Sequence, residues 1–115
     1  MAEQVTANFP DRVFGTTFKT VTYTMTDENG DPIDLSGWLI EIAFKKQANA
    51  DAAKFLSSAT GGITITDAAN GIWQINAFTI DMSPALYLYD IKTTDSFNVV
   101  EDYVRGSFKV LQNIT

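Results

Sequence analysis

The sequence predicts an all-β fold. Apolar and polar residues alternate with a period of two in several short segments, and turn-forming residues separate most of these segments. No segment shows a sustained helical period, and we find no internal repeat or low-complexity linker. With 115 residues, of which 45% are hydrophobic, the chain has the size of one domain and can bury its own core.

The N-terminal half contains two clear strand signals. Segment 16–26 alternates apolar residues with threonines, so it predicts a strand with one apolar face. Segment 27–32 then predicts a turn, because it contains Asn-Gly followed by a proline. Segment 38–46 alternates again, and Trp38 at its start is expected to be a central core residue.

The C-terminal half contains the remaining strand signals. Further strands are predicted at 63–65, 72–77, 86–94 and 99–111, with turns at 67–71 and 95–98. In these strands we expect Trp73 and Ile75 to point inward and Gly106 to mark a bulge or a close backbone approach.

One stretch between the two halves stays undecided at this stage. The alanine-rich segment 47–53 could form one or two helical turns, or equally a loop that crosses between sheets. Segment 54–59 could add a short strand.

About seven short strands with turns between most of them are typical of an antiparallel sandwich. The sequence therefore predicts an immunoglobulin-like antiparallel β-sandwich over 15–112. It is preceded by an N-terminal arm or edge strand over 1–14 and followed by a short tail over 113–115. A small β-barrel is the alternative fold.

Composition argues against several classes of function. The chain has no cysteine and no histidine, which removes disulfides, thiolate metal sites and the commonest general base. The net charge is −6 and the basic residues are scattered, so we expect neither nucleic-acid nor membrane binding. No apolar run approaches the roughly 20 residues of a membrane span, and the N-terminus lacks the features of a secretion signal.

The acidic residues give no strong site signal. Asp27, Asn29 and Asp31 alternate as in a calcium loop, but that pattern requires glycine and glutamate where Pro32 and Trp38 stand. A surface turn is the preferred interpretation. The carboxylates on predicted strands are expected to be solvent-facing charges rather than a catalytic pair. We therefore expect neither an enzyme nor a cofactor.

The motifs occur in a characteristic order. They are Gly15-Thr16-Thr17-Phe18, Ile33-Asp34-Leu35-Ser36-Gly37-Trp38, Gly61-Gly62-Ile63-Thr64-Ile65, Tyr87-Leu88-Tyr89-Asp90-Ile91 and Arg105-Gly106-Ser107-Phe108-Lys109-Val110. This ordered set, over roughly residues 14 to 112, resembles small immunoglobulin-like proteins of bacteriophages and prophages. It is similar in particular to the N-terminal domain of phage baseplate upper proteins.

The resemblance implies a virion structural protein that is made in the cytoplasm of a bacterial host. Further modules follow the domain in baseplate proteins, so a stand-alone domain is expected to be an accessory part of the capsid, neck, tail or baseplate. Its partners would be other virion proteins, and it would be a homo-oligomer or present in several copies.

The residues expected to contact partners lie in the arm or in turns. They are Phe9, Pro10, Arg12, Asn29, Asp31, Asn70, Phe97 and Asn98. The arm is the segment that we expect to be donated to a neighbouring subunit by β-augmentation.

The alternative function is a carbohydrate-binding or adhesin-like module for attachment to a host surface. It would need an exposed aromatic platform, for which Trp38, Trp73, Tyr87 and Tyr89 are the candidates. Core packing is the competing interpretation of these four rings.

Overall fold

The computed structural model describes residues 5–6, 8–47 and 49–114, and the all-β prediction is confirmed. Within these residues, short turns and loops join eleven strands and one 3₁₀ turn, Ala68–Asn70. The strands are β1 (Val5–Thr6), β2 (Arg12–Val13), β3 (Thr17–Phe18), β4 (Val21–Thr24), β5 (Leu39–Lys45), β6 (Lys54–Ser57), β7 (Ile63–Asp67), β8 (Ile72–Ile75), β9 (Phe78–Thr79), β10 (Ala85–Thr94) and β11 (Val100–Leu111).

The strands form three sheets. The largest has the order β1-β11-β10-β5-β6, and β2 also pairs with β11. In this sheet β1 and β2 run parallel to β11, whereas the pairs β11–β10, β10–β5 and β5–β6 are antiparallel. The second sheet is antiparallel with the order β4-β8-β7, and β3 pairs with β9 in a two-stranded ribbon.

Alternate residues of the strands point into one common core. In β10 the buried residues are Tyr87, Tyr89, Ile91 and Thr93, while Leu86 and Leu88 on the opposite face are exposed. Buried side chains from all three sheets join the same hydrophobic cluster. Each large apolar side chain removed from water in this way contributes about 1.5–3 kcal/mol.

The predicted inward positions of β8 are confirmed. Trp73 and Ile75 are fully buried, and the Trp73 ring stacks on Tyr23 with ring centroids 4.4 Å apart. The prediction for Trp38 was wrong. This residue precedes β5 and is only half-buried, at the margin of the cluster whose centre Ile40 and Ile42 occupy.

Of the two alternatives predicted for Gly106, the bulge is not observed at that residue. Gly106 pairs regularly with Tyr89, whereas the register shifts farther along the ladder. There Ile91 pairs with Val104 and the next residue pairs with Asp102, so Tyr103 is the extra residue. A bulge of this kind turns the following side chains to the opposite face of the sheet.

The region between β5 and β6 is a loop, so the helical alternative for 47–53 was wrong for the residues that the structure describes there. The amide of Ala50 donates to the carbonyl of Gln47 at 3.0 Å, which closes a single turn. The amide of Ala53 then donates to the carbonyl of Phe44 at 2.7 Å and returns the chain to the sheet. Ala48 lies outside the described residues.

The segment predicted as an arm or edge strand contributes two edge strands, β1 and β2. Between them, the Phe9 amide donates to the carbonyl of Ser107 at 3.0 Å, and Asn8 Oδ1 accepts from the Ser107 amide at 3.0 Å. These bonds tie the segment to β11 of the same chain. Residues 1–4 and 7 lie outside the described part.

The turn after η1, the 3₁₀ turn Ala68–Asn70, depends on Gly71. Its φ is +70°, and a Cβ there would lie within 2.8 Å of the carbonyl oxygens of both Met25 and Ile33. The Gly71 carbonyl also accepts from the Met25 amide at 2.8 Å. The absent side chain lets two backbone segments meet.

A side-chain hydrogen bond holds the chain segment that leads into β10. The side chain of Tyr87 is 1% exposed, and its hydroxyl donates to the carbonyl of Ser83, four residues upstream, at 2.5 Å. A buried hydroxyl without a partner would destabilise the fold, so this bond fixes the approach of the chain to β10.

Replacing Gly71 with alanine is expected to lower the free energy of unfolding by about 3 kcal/mol, because strained φ and a backbone clash act together. Gly30→Ala is the matched control, since Gly30 has φ +82° and a Cβ there meets no atom within 4 Å. Its cost should be the backbone strain alone, about 1 kcal/mol. Urea denaturation measures the free energy of unfolding of both variants. Equal losses of stability in the two variants would contradict the close backbone approach at Gly71.

Removing the Tyr87 hydroxyl with Tyr87→Phe is expected to cost about 1 kcal/mol of unfolding free energy, because the bond to Ser83 is lost while the ring still fills the core. In Tyr103→Phe the hydroxyl removed bonds to no residue that the structure describes, so little change is expected. Thermal and urea denaturation compare the two variants. A larger loss of stability in Tyr103→Phe than in Tyr87→Phe would contradict the stabilising role of the Tyr87 hydroxyl.

Candidate interaction site

Three turns lie close together at one end of the molecule, and we call this region the loop end. It comprises turns 27–31, 67–71 and 95–99, joined by segment 33–38. The Met25 amide, shortly before the first turn, donates to the carbonyl of Gly71 in the second turn at 2.8 Å. The Leu35 amide donates to the carbonyl of Ala68 at 2.9 Å, which links this segment to the second turn. A Cβ on Gly37 would lie 3.6 Å from the Cβ of Ser96, which places the segment beside the third turn.

Hydrogen bonds to Asp95 organise the turn between β10 and β11. Asp95 Oδ1 accepts from the amides of Phe97 at 2.8 Å and Val99 at 3.0 Å. Two backbone bonds between Asp95 and residues 98 and 99 complete the turn. Asn98 adopts φ +64°, a conformation that asparagine tolerates better than most residues.

This hydrogen-bonded turn presents apolar side chains to solvent. Phe97 is 85% exposed, and Val99 and Val100 are 48% and 61% exposed. A large aromatic side chain on an ordered backbone loses little conformational entropy when it binds, and such side chains are common among residues that dominate interface energies. We call residues 96–100 the hairpin tip.

The first turn of the loop end is closed by Asp27. Its Oδ1 accepts from the amides of Asn29 at 2.9 Å and Asp31 at 3.0 Å. The alternating acidic residues therefore form a hydrogen-bonded surface turn, as the sequence indicated. Among the described residues, no group of three or more potential metal ligands is close enough to hold an ion.

The structure brings five of the eight predicted contact residues to the loop end. All five are exposed. They are Asn29, Asp31, Asn70, Phe97 and Asn98. In the second turn, the side chain of Asn70 donates to Asp67 Oδ2 at 2.8 Å, so the turn that it occupies is also ordered.

The other three predicted contact residues, Phe9, Pro10 and Arg12, lie beside β11 and away from the loop end. Phe9 is half-buried, and its ring stacks on Tyr89 with centroids 4.5 Å apart and meets the edge of Phe18 at 5.2 Å. Its ring is thus part of the core of its own chain. Pro10 is exposed and Arg12 is half-buried, both at a small hollow of about 160 Å³.

A second surface, not anticipated from the sequence, covers the outer face of the largest sheet. An open groove of about 940 Å³ crosses this face, and we call it the sheet groove. Its apolar floor includes Leu88 and Phe55, and the loop at 50–52 forms one wall. Its charged residues are three acids and three bases, namely Glu41, Asp51, Asp90, Lys45, Lys92 and Arg105.

The bulge at Tyr103 shapes the electrostatics next to this groove. It sets Asp102 opposite Lys92, so that Asp102 lies beside Asp90 on the outer face. Burial, then a hydrogen bond with Asp102 and the charge of Asp102, raise the pKa of Asp90, while Lys92 and Arg105 lower it. Asp102 Oδ2 lies 3.4 Å from Arg105 Nη2. The contact between Asp90 and Asp102 forms only when one of the two carboxyls holds a proton.

Three of the four rings considered for a carbohydrate platform lie in the core. Trp73, Tyr87 and Tyr89 are at most 4% exposed, and burial raises the pKa of Tyr89 to about 12. Trp38 is half-buried. The core-packing interpretation of these rings is therefore the one that the structure supports.

Replacing Asp90 with asparagine is expected to raise the free energy of unfolding at neutral pH by about 0.5 kcal/mol, a value that allows for solvent screening. Folding raises the pKa of Asp90. The stability contributed by its proton is therefore fully present below the pKa of Asp90 in the unfolded chain. It is lost as the pH rises through the pKa of Asp90 in the folded chain. The gain in Asp90→Asn should therefore disappear as pH falls toward about 3.9. Urea denaturation across this range measures it.

Asp34→Asn provides a control of opposite sign. The hydroxyl and amide of Ser36 lower the pKa of Asp34, so its contribution is present above the unfolded pKa and is lost as pH falls through the folded pKa. This variant should be less stable than the natural chain at neutral pH. A stability loss in Asp90→Asn at neutral pH would contradict the proton-sharing interpretation.

No helix in the described part of the chain is long and apolar enough to cross a membrane. The sequence matches no protein-family model and no curated protein. Among solved structures, the chain is similar to part of a family 123 glycoside hydrolase from Clostridium perfringens, studied for glycolipid glycan hydrolysis, with 15% identity and a TM-score of 0.37. The match covers 95% of this chain and 23% of that enzyme chain. A likeness of this strength carries no functional argument.

Proposed function

We propose that this chain is an immunoglobulin-like β-sandwich that serves as an accessory structural subunit of a bacteriophage virion, on its capsid, neck, tail or baseplate. It acts by binding other virion proteins rather than by catalysis. The observation that carries the binding role is the loop end, where three ordered turns meet and one of them exposes Phe97.

The strand order supports the immunoglobulin-like assignment. In immunoglobulin domains one sheet contains strands C, F and G, and the other contains A, B, E and D. Here β5, β10 and β11 are neighbours in the first sheet, and β4, β8 and β7 have the order of B, E and D. β6 lies beside β5, as strand C′ does in variable-type domains.

The Tyr87 hydrogen bond supports the same assignment. Immunoglobulin domains have a tyrosine near the start of strand F whose hydroxyl bonds to the backbone a few residues upstream. Tyr87 has this position in β10 and bonds to the carbonyl of Ser83. The inter-sheet disulfide of antibody domains has no counterpart, since the chain lacks cysteine.

The loop end supports a binding role because recognition loops cluster at one end of such sandwiches. The turns at 67–71 and 95–99 correspond to the D–E and F–G loops, and segment 25–38 corresponds to the B–C loop. The resemblance of the sequence to phage proteins then suggests virion proteins as the partners.

The virion proposal predicts that the chain co-purifies with particles of the phage or prophage that encodes it. Quantitative mass spectrometry of purified particles measures the copy number per particle. A constant number across preparations supports a structural subunit and, by its value, indicates capsid, tail or baseplate. Absence from purified particles would refute the virion role.

Replacing Phe97 with aspartate is expected to lower the copy number about tenfold or more, because a charge at the centre of an apolar contact removes its main anchor. Ile114→Asp is the matched control, since Ile114 is 93% exposed and lies beyond the other end of β11. Circular dichroism checks that both variants fold. Unchanged incorporation of Phe97→Asp would show that the loop end does not carry the binding.

A further inference from the structure

We propose that Asn29 is a site of spontaneous deamidation in the folded chain, and that the fold protects Asn70 from the same reaction. This inference goes beyond the proposed function and does not depend on it, because it concerns a covalent change within the chain. It rests on a dipeptide that the sequence contains twice, Asn-Gly, and on the different ways in which the structure holds the two copies.

The Asn-Gly dipeptide is chemically labile. Asparagine is a thermolabile residue, because the backbone nitrogen of the next residue can attack its side-chain carbonyl carbon. A following glycine favours this attack, since it has no Cβ in the way and its backbone turns easily. In this chain the dipeptide occurs at 29–30 and 70–71, and every other asparagine precedes phenylalanine, alanine, valine or isoleucine. The two Asn-Gly turns are therefore the candidate sites.

The reaction needs only water and hydroxide. Hydroxide removes the proton of the Gly30 amide, and the nitrogen then attacks Cγ of Asn29. The new C–N bond forms as the Cγ–Nδ2 bond breaks, and Nδ2 takes a proton from water and leaves as ammonia. Water then opens the resulting succinimide ring at either of its carbonyls, which gives aspartate or isoaspartate. No group is oxidised or reduced, and the product carries one negative charge that asparagine lacks.

The structure leaves the first of the two dipeptides accessible. Asn29 and Gly30 are both exposed, and a Cβ on Gly30 would meet no described atom within 4 Å. In the described part of the chain, the Asn29 side chain has no hydrogen-bond partner. The attacking nitrogen is engaged by a single bond, from the Gly30 amide to the carbonyl of Asp27 at 3.0 Å. One exposed hydrogen bond opens at little cost, so the ring can close without unfolding of the chain.

The structure holds the second dipeptide on both sides of the reacting bond. The Asn70 side chain donates to Asp67 Oδ2 at 2.8 Å, which fixes the carbon that would be attacked. Gly71 is buried; its amide donates to the carbonyl of Ala68 at 3.1 Å, and its carbonyl accepts from the amide of Met25 at 2.8 Å. The nitrogen cannot turn toward the side chain while these bonds persist. Asn70 therefore reacts only in the fraction of molecules in which this turn has opened.

Conversion of Asn29 changes the first turn of the loop end. The new charge joins those of Asp27, Glu28 and Asp31 in the same turn. Isoaspartate also lengthens the backbone by one carbon between the amides of residues 29 and 31, which Asp27 Oδ1 accepts together, so the turn must rearrange. The surface that we assign to binding is therefore altered as the protein ages, and this consequence alone rests on the proposed function.

Timed incubation of the purified chain in mildly alkaline buffer tests the proposal, with and without guanidinium chloride. Peptide mapping by mass spectrometry measures the gain in mass at each asparagine, and electron-transfer fragmentation distinguishes isoaspartate from aspartate. In guanidinium chloride both Asn-Gly sites should convert at similar rates, because neither is held. In the folded chain Asn29 should convert, and Asn70 should convert about tenfold more slowly or less, since only its opened fraction reacts.

Gly30→Ala is the control variant, because its methyl group hinders the attacking nitrogen; most conversion at Asn29 should be lost while that at Asn70 is unchanged. Circular dichroism checks that it folds, and Asn29→Gln replaces it if it does not. An Asn29 that stays intact in the folded chain while both sites convert in guanidinium chloride would overturn the proposal, as would equal rates at the two sites in the folded chain. Neither result bears on co-purification with particles, so each proposal can fail without the other.

Discussion

The pairing of β10 with β11 is the interaction on which most of the structure depends. The ladder runs from Ala85 opposite Val110 to Thr94 opposite Val100, and it is the longest in the described part of the chain. Its inner face contributes aromatic and aliphatic residues to the core from both strands. Its edges receive β5 on one side and the parallel strands β1 and β2 on the other. The hairpin tip, which exposes Phe97, therefore joins the two longest strands of the described chain.

The bulge at Tyr103 in this hairpin determines which side chains lie on the outer face of the sheet. With regular pairing, Lys92 would lie opposite Tyr103, and the tyrosine would occupy the outer face. The extra residue instead places Asp102 opposite Lys92, next to Asp90. The local cost is that Asp102 disfavours the charged form of Asp90, and the nearby bases Lys92 and Arg105 offset this effect. The charge balance of the outer face therefore depends on one inserted residue.

The sequence predicted those features that local alternation determines. The period of two identified β5, β8 and β10 and assigned Trp73 and Ile75 to their buried positions, because a strand with one buried face must alternate. Turn chemistry likewise located the three turns of the loop end. Five of the contact residues chosen for their exposure belong to those turns.

Features that depend on contacts between residues distant in sequence could not be predicted from local alternation or turn chemistry. Phe9 seemed to belong to a free arm, but it packs against Tyr89, eighty residues away along the chain. Trp38 has the composition of a core residue, yet it stands one residue before β5 begins. The sheet groove combines residues from several strands with the loop at 50–52, and no single segment carries its pattern.

The central claim is that the strands are ordered so that three turns meet at one end and present Phe97. Nuclear Overhauser effects in the isotope-labelled chain test it most directly. We predict contacts from the amide of Leu35 to Ala68 and from Gly37 to Ser96, because these pairs hold the turns together. A well-dispersed spectrum that lacks both contacts would place the turns apart and contradict the loop end and the binding role built on it.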